Sequence, residues 1–405
     1  MSLPPDGPDE VEADQADAEH RRRVDRRMER ALNEGAATWA ELLAAAEGAD
    51  PRLVARRLAV AGRSIAGLEA TAPPPSSSWS PELHARDFEW YFTPECADAL
   101  ARRAMRFGRR VLCLGTPTVA FALLEHPPLE RLTLVDRNPL VGRRHPRSGD
   151  IETIHDELAA IRLEAGSYDV VIFDAPWYPS TLHHWLAIAA RAVRPGGHVL
   201  FALLPRLHRP NASHDRETLL AEARRMGTIA VDPGTLAYQS PRFEQEALAA
   251  AGLSAPPTWR RADLAEVQIL RTPTSAPDPE PTERAWARFA IGDQVVHLDL
   301  DAPHEAGDVL TPIDERSDFR YTSISTRDPR RARIGLWTSR SRVARVRRPD
   351  VVAALLERLM ETGDLRSLDG CPALGSLEIS ARLRLQQSLA AVLGASVRES
   401  PLHGP

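Results

Sequence analysis

The sequence predicts an α/β fold: a mainly parallel sheet with helices on both faces, preceded by a helical extension and followed by a small α+β domain. Three observations carry this. Between residues 79 and 272, strand-like aliphatic runs alternate with amphipathic helical patterns, as in a sheet wound through helical crossovers. The run Tyr168-Asp-Val-Val-Ile-Phe173 is apolar at almost every position, like a strand buried on both faces. Two stretches rich in Pro and Ser, 72–78 and 273–283, bracket the alternating region as linkers.

A chain of 405 residues predicts two or three domains, and 43% hydrophobic with 26% charged residues is globular composition. All 51 basic residues are Arg, against 56 acidic ones. The net charge of −5 excludes a global nucleic-acid footprint, so a basic surface has to be local. Cys96, Cys113 and Cys371 form no C-x-x-C pair. That argues against a disulfide framework or a zinc site and fits a reducing, cytoplasmic compartment. Neither a signal peptide nor an apolar run of spanning length is present, so no membrane partner is expected.

In chain order, residues 1–18 are acidic and Pro-rich, which predicts a disordered tail. The module 19–71 is helical, with helices over 38–46 and from Asp50, the latter capped by Asp50 with Pro51 at its first position. The tight turn between them fits a helix-turn-helix or a helical packing extension. In the domain 79–272 the pattern gives a helix over 94–107, a strand over 110–114, a helix over 119–125 and a strand over 132–136. A helix over 152–163 follows, then the strand 169–173 and a helix from Ser180 as N-cap to 193. After these come a strand over 197–204, helices over 215–225 and 240–251, and a final antiparallel strand over 266–271. The domain 284–405 reads as short strands, such as 294–300 and 334–337, with helices over 351–361 and 376–393.

The chemistry concentrates in the loop Asp174-Ala-Pro-Trp-Tyr-Pro179. It sits at the carboxyl end of a strand, where an open α/β sheet places its ligand. Asp174 offers acceptors to an amine N–H, Pro176 stiffens the loop, and Trp177 and Tyr178 present flat faces for stacking. These residues suit an amine held against an electrophilic methyl; they equally suit an ordinary Pro-rich turn. The first strand ends in Leu114-Gly-Thr-Pro-Thr118, a tight loop open to close backbone approach but not a G-x-G-x-x-G. The second ends in Asp136, about 20 residues on, where an acid can bind both hydroxyls of a ribose. In Asp87-Phe-Glu-Trp-Tyr-Phe-Thr-Pro94 the aromatics could cover a cofactor or clamp the sheet edge. Thr93 could bond that cofactor or cap the next helix.

Taken together, aromatic-Tyr-Phe-Thr-Pro-Glu, Leu-Cys-Leu-Gly-Thr-Pro-Thr, Leu-Val-Asp and Phe-Asp-Ala-Pro-Trp resemble class I S-adenosylmethionine-dependent methyltransferases over about residues 88–253. Within them the chain looks most like the N6-adenine methyltransferase family that includes the eukaryotic elongation-factor lysine methyltransferases. The resemblance implies a Rossmann-like sheet and S-adenosylmethionine as cofactor. It places Tyr91, Phe92 and Thr93 at the methionine end, Gly115, Thr116 and Pro117 in the cofactor loop, and Asp136 on the ribose. Asp174, Pro176 and Trp177 would receive the target amine, and Asp150 would be the adenine-binding acid. Ala175 departs from the family, which has Pro there, and residues 143–150 are short where a third strand belongs.

For the acceptor, Arg143, Arg144, Arg147, Arg206, His208 and Arg209 could border the cleft. The basic runs 327–333 and 340–348 point further to nucleic acid, with adenine N6 as target; a protein lysine is the alternative. A cofactor-binding protein without catalysis is the third reading, favoured by Ala175 and the short third-strand region. His183 and His184 are adjacent on a helix and do not face one another, so they read as structural or rim residues.

Overall fold

A computed structural model of the chain describes residues 8–63, 83–87, 89–143, 145–273, 286–314, 318–323 and 328–394. The linker 72–78, nearly all of the linker 273–283, and residues 1–7, 88 and 144 lie outside that set.

Three helices come first: α1 (Pro8–Asn33), α2 (Trp39–Ala45) and α3 (Pro51–Val60). Helix starts at Pro8, within the stretch expected to be a disordered tail. Thr38 and Glu41 form a capping box on α2, and Asp50 caps α3 with Pro51 in its first turn. Val24 and Met28 of α1, Trp39 and Leu42 of α2, and Val54 and Leu58 of α3 share one core with Leu207 of the next domain. Trp39 also donates its indole N–H to the Ser254 carbonyl at 2.6 Å. The module is thus docked on the sheet domain.

That domain runs α4 (Pro94–Ala104), β1 (Arg110–Leu114), α5 (Pro117–Leu124), β2 (Arg131–Val135), β3 (Glu152–Ile154), β4 (Tyr168–Phe173) and α6 (Pro179–Ala192). It continues with β5 (Val193–Leu203), α7 (Ala212–Met226), β6 (Gly227–Ala237), α8 (Arg242–Ala250) and β7 (Arg261–Ile269). The seven strands lie in the order β3-β2-β1-β4-β5-β7-β6. Strands β1 to β5 pair in parallel, and β7 runs antiparallel between β5 and β6. The order reverses between β1 and β4, which is where such a sheet opens a crevice at its carboxyl edge. Leu114 pairs with Phe173 there, so Gly115 and Asp174 emerge side by side.

Two expectations change. The stretch read as a helix over 152–163 holds the third strand, followed by a short 3-10 turn. Thr153 and Ile154 are β-branched, and pairing with Val135 and Leu134 of β2 overrides the helical pattern around them. The helix after the loop starts at Pro179, not after Ser180, and Tyr178 stands at its N-cap without a side-chain cap bond. Proline at the first helical position suits the start, because its missing N–H has no partner to lose.

The last domain has β8 (Trp286–Ile291), β9 (Gln294–Asp299), β10 (Leu310–Thr311), β11 (Leu336–Thr338), β12 (Arg342–Val346), α9 (Pro349–Thr362) and α10 (Ile379–Leu393). Its sheet is antiparallel in the order β10-β12-β11-β9-β8. Leu355, Leu356 and Leu359 of α9 and Leu385 and Leu389 of α10 pack with that sheet in one core. An apolar joint of Ala85, Phe243, Tyr321, Ile334, Trp337 and Val343 fastens it to the sheet domain. Among the described residues, no helix is long and apolar enough to cross a membrane.

Candidate active site

A cleft of about 1060 Å³ opens over the carboxyl ends of β1, β2 and β4. Its floor carries Gly115, Asp136, Asp174, Ala175, Pro176 and Trp177, with Tyr91 and Glu89 on one wall. Residues of α1 and α3, among them His20, Arg52 and Arg56, close its far side. The polar face of α3 is therefore turned into the cleft as a wall.

Gly115 has φ +60°, in the left-handed region. A Cβ there would lie 3.1 Å from the Trp185 ring and 3.3 Å from the Asp174 carbonyl oxygen. Only a glycine lets the loop turn this tightly against its neighbour. Asp136 follows β2 directly; its N–H donates to the Ile154 carbonyl, and its carboxylate accepts from the Asn138 N–H at 2.9 Å. Burial pushes its carboxyl up to about 6. Glu89 accepts from the His84 N–H at 2.9 Å and from the Asn138 amide. Burial, reinforced by Asp87 and Asp136, drives it up to about 8. The segment before α4 is laid along the end of β6: Thr93 donates its N–H to the Ala237 carbonyl, and the Tyr91 carbonyl accepts from Gln239. This holds Tyr91 in the cleft wall, with its buried hydroxyl making no hydrogen bond.

Asp174 is anchored by a bond from its N–H to the Leu114 carbonyl, and its carboxylate accepts from the Tyr238 hydroxyl at 3.0 Å. Burial raises its carboxyl to about 7, against that hydrogen bond and the charge of Arg260. Burial holds the Tyr238 phenol well above its usual range, so it stays a donor. Glu244 of α8 is likewise pushed up to about 7 by burial, against Arg52 at 3.4 Å. Trp177 is buried: Arg260 covers one of its faces at 4.4 Å, and His208 and Tyr238 meet it edge to face.

Of the residues singled out in the sequence, Tyr91, Gly115, Asp136, Asp174, Pro176 and Trp177 meet in this cleft. Phe92, Thr93, Thr116 and Pro117 stand behind it. Phe92 packs on Tyr238, Thr93 caps α4 by accepting from the Cys96 N–H, and Thr116 and Pro117 begin α5. Asp150 is not brought in. It is exposed, pairs with Arg147, and precedes β3 at the opposite end of that strand. The acids past the carboxyl end of β3 are Asp156 and Glu157, and both line the cleft. They were hidden because the strand before them was read as helix. Glu89, Tyr238, Glu244 and Arg260 were missed as well; only Glu89 lay inside a stretch already singled out.

Most of the described arginines in the basic runs are held in ion pairs. Arg330 pairs with Asp328, Arg340 with Asp293, Arg345 and Arg347 with Glu305, and Arg348 with Asp350. Arg206 pairs with Glu217 and Arg209 with Asp215. His183 bonds Glu222, and no group of three metal-ligating side chains occurs among the described residues.

No protein-family model matches the sequence, and no curated protein matches it. Solved structures do. A branched-chain polyamine synthase from Thermus thermophilus, in complex with N4-aminopropylspermidine and 5'-methylthioadenosine, is 18% identical with a TM-score of 0.52, covering 66% of this chain and 95% of its own. The 16S rRNA N2 G1207 methyltransferase of T. thermophilus, with AdoMet and guanosine, is 19% identical with a TM-score of 0.31, covering 56% of this chain and 52% of its own. The tRNA (m1A58) methyltransferase of Aquifex aeolicus is 11% identical with a TM-score of 0.34, covering 48% and 74%. The last two scores are too low to carry weight. The strand order and the first likeness together give the chain the Rossmann-like, class I methyltransferase fold.

Proposed function

From that fold, we propose that the chain binds S-adenosylmethionine over β1 and β2 and transfers its methyl group to an amine nitrogen held at Asp174. The observation that carries this is the side-by-side emergence of Gly115 and Asp174 in one cleft. The residues present fit the cofactor. Asp136 stands at a strand tip with a carboxylate open to ribose hydroxyls, the Gly115 turn leaves room for close approach, and the Tyr91 hydroxyl is enclosed without a partner. Glu157 and Leu158 would border the adenine, and Tyr91 the methionine end.

Bound S-adenosylmethionine supplies a methyl group already activated on a sulfonium. The protein's part is then to position the acceptor and manage its proton. Asp174, as carboxylate, accepts an N–H and aims the nitrogen lone pair toward the Gly115 side. Tyr238, donating to the same carboxylate, fixes its orientation. Burial of the Asp174 carboxyl strengthens both contacts.

The order Asp-Ala-Pro-Trp supports adenine N6 as acceptor, with Trp177 stacked on the base. A specific observation favours an aliphatic amine instead: Arg260 lies on one face of Trp177 and two ring edges contact the indole, so a base would have to displace packed groups. The pairing of Arg340, Arg345 and Arg347 with acids supports the same choice, since it makes these cations less available to a phosphate backbone.

Calorimetric titration with S-adenosylmethionine tests the first half. Tritiated methyl transfer to aliphatic amines, protein, RNA and DNA tests the second. Label in nucleic acid restores adenine N6, and binding without transfer to any of them favours a non-catalytic role. Binding of 5'-methylthioadenosine and spermidine in place of S-adenosylmethionine would mean that a group other than methyl is transferred.

A further inference from the structure

One guanidinium in the cleft is held by stacking, with no hydrogen bond or ion pair among the described residues. Arg260 precedes β7, and its guanidinium is sandwiched between the indoles of Trp90 and Trp177, 4.4 Å from each. Trp90 is in turn braced edge-on by Tyr238, Phe243 and Trp259. Stacking on both faces leaves the hydrogen-bonding rim as the only free part of the group. That rim forms no hydrogen bond and no ion pair with the described residues, and it opens into the cleft. Other arginines nearby differ: Arg216 bonds the Leu204 carbonyl and pairs with Asp263, while Arg209 bonds the Trp177 carbonyl and pairs with Asp215. The nearby acids Glu244 and Asp174 act on it through space, but each has a direct partner of its own, Glu244 in Arg52 and Asp174 in Tyr238.

We propose that Arg260 is an oxyanion-binding subsite, and that the amine taken at Asp174 belongs to a small molecule that also carries a carboxylate or phosphate. A guanidinium held flat presents paired N–H donors in the geometry that either anion accepts two at a time. Because two tryptophans already order it, little rotamer freedom is lost when the anion arrives. The subsite sits beside the acceptor loop because Trp177 belongs to that loop, so amine and anion are read together. This rests on Asp174 as the amine site and sets the acceptor apart from a plain polyamine, which has no anion.

The test compares matched probes on the full chain by calorimetry: 6-aminohexanoate against 1,6-diaminohexane, and O-phosphoethanolamine against ethanolamine. The anion-bearing member of at least one pair should bind tighter by tenfold or more, and the better pair tells carboxylate from phosphate. Arg260→Gln should erase the preference, Arg260→Lys should keep part of it, and S-adenosylmethionine affinity should stay within about twofold in both. Equal or tighter binding of the diamine to the wild type overturns the proposal, as does a gain in diamine affinity in Arg260→Gln, which would make the arginine a plug. The wild-type comparison decides even if a variant does not fold. Loss of S-adenosylmethionine binding alongside an intact anion preference would sink the proposed function and leave the subsite standing.

Discussion

If the Asp174 carboxylate is the group that receives an acceptor N–H, its ionisation must govern the rate. Burial lifts its carboxyl to about 7, so it is about one-tenth ionised at pH 6 and about nine-tenths at pH 8. Methyl transfer at limiting acceptor should therefore rise about ninefold over that interval. Stability should move the opposite way. The folded pKa lies above the ordinary carboxylate value, so this group's contribution is fully present below about 4 and lost as pH rises through about 7. Full ionisation weighs against the fold by about 4 kcal/mol, a penalty that Asp174→Asn removes. The assay is tritium transfer across pH 5.5–8.5 beside urea unfolding at the same pH values, for wild type and Asp174→Asn. Tyr238→Phe removes a hydrogen bond that lowers this pKa, so the midpoint of its rate profile should move up. A flat wild-type profile, or an asparagine variant with the same slope and rate, refutes the reasoning.

Other expectations follow from single contacts. Asp136→Ala should weaken S-adenosylmethionine binding by about tenfold or more in calorimetry, the scale of a lost charged hydrogen bond, without lowering the unfolding midpoint. Gly115→Ala combines left-handed backbone, costing about 1 kcal/mol, with a Cβ pressed on Trp185 and the Asp174 carbonyl. It should impair cofactor binding and transfer together, and an unchanged pair would mean that the turn does not face the cofactor. Asp87 lies 3.2 Å from Arg137, 3.4 Å from Arg288 and 3.2 Å from His297, and is 4% exposed. Burial pushes its carboxyl up, but these cations and the imidazole outweigh it and hold it well below the usual range. Asp87→Ala removes the buried partner that Arg137, Arg288 and His297 share, leaving the two arginines only Glu157, and should cost about 3 kcal/mol in denaturant unfolding; a loss under about 1 kcal/mol would contradict the network.

How much was legible in the sequence depended on whether the signal was local. The strands β1, β2 and β4 were visible because each is a short apolar run that needs no partner to be recognised. Strand β3 was not, since three residues with charged and aliphatic neighbours read as a helical turn until β2 lies beside them. Strand β6 carries Pro233 and Gly234 at an irregularity in its pairing, and both residues signal breaks in isolation. The same division runs through the site. Asp136 and Asp174 stood out as acids ending predicted strands. Tyr238 follows β6, Glu244 lies in the first turn of α8 and Arg260 ends a loop before β7, and nothing in their own neighbourhoods marks them. They reach Asp174 and Trp177 only through the fold.

The seam between the sheet domain and the last domain bears on how the protein can be divided. Arg288 comes from β8, yet it pairs with Asp87 and with Glu157, which borders the cleft; His297 of β9 reaches the same carboxylate and stacks on His84 at 4.0 Å. Cutting at the Pro-rich linker would not release two finished halves. It would strip a cleft-wall acid of the nearer of its two counter-ions and leave a carboxylate short of two of its partners. The last domain is thus a structural part of the cleft, and a shortened chain measures something other than the intact protein.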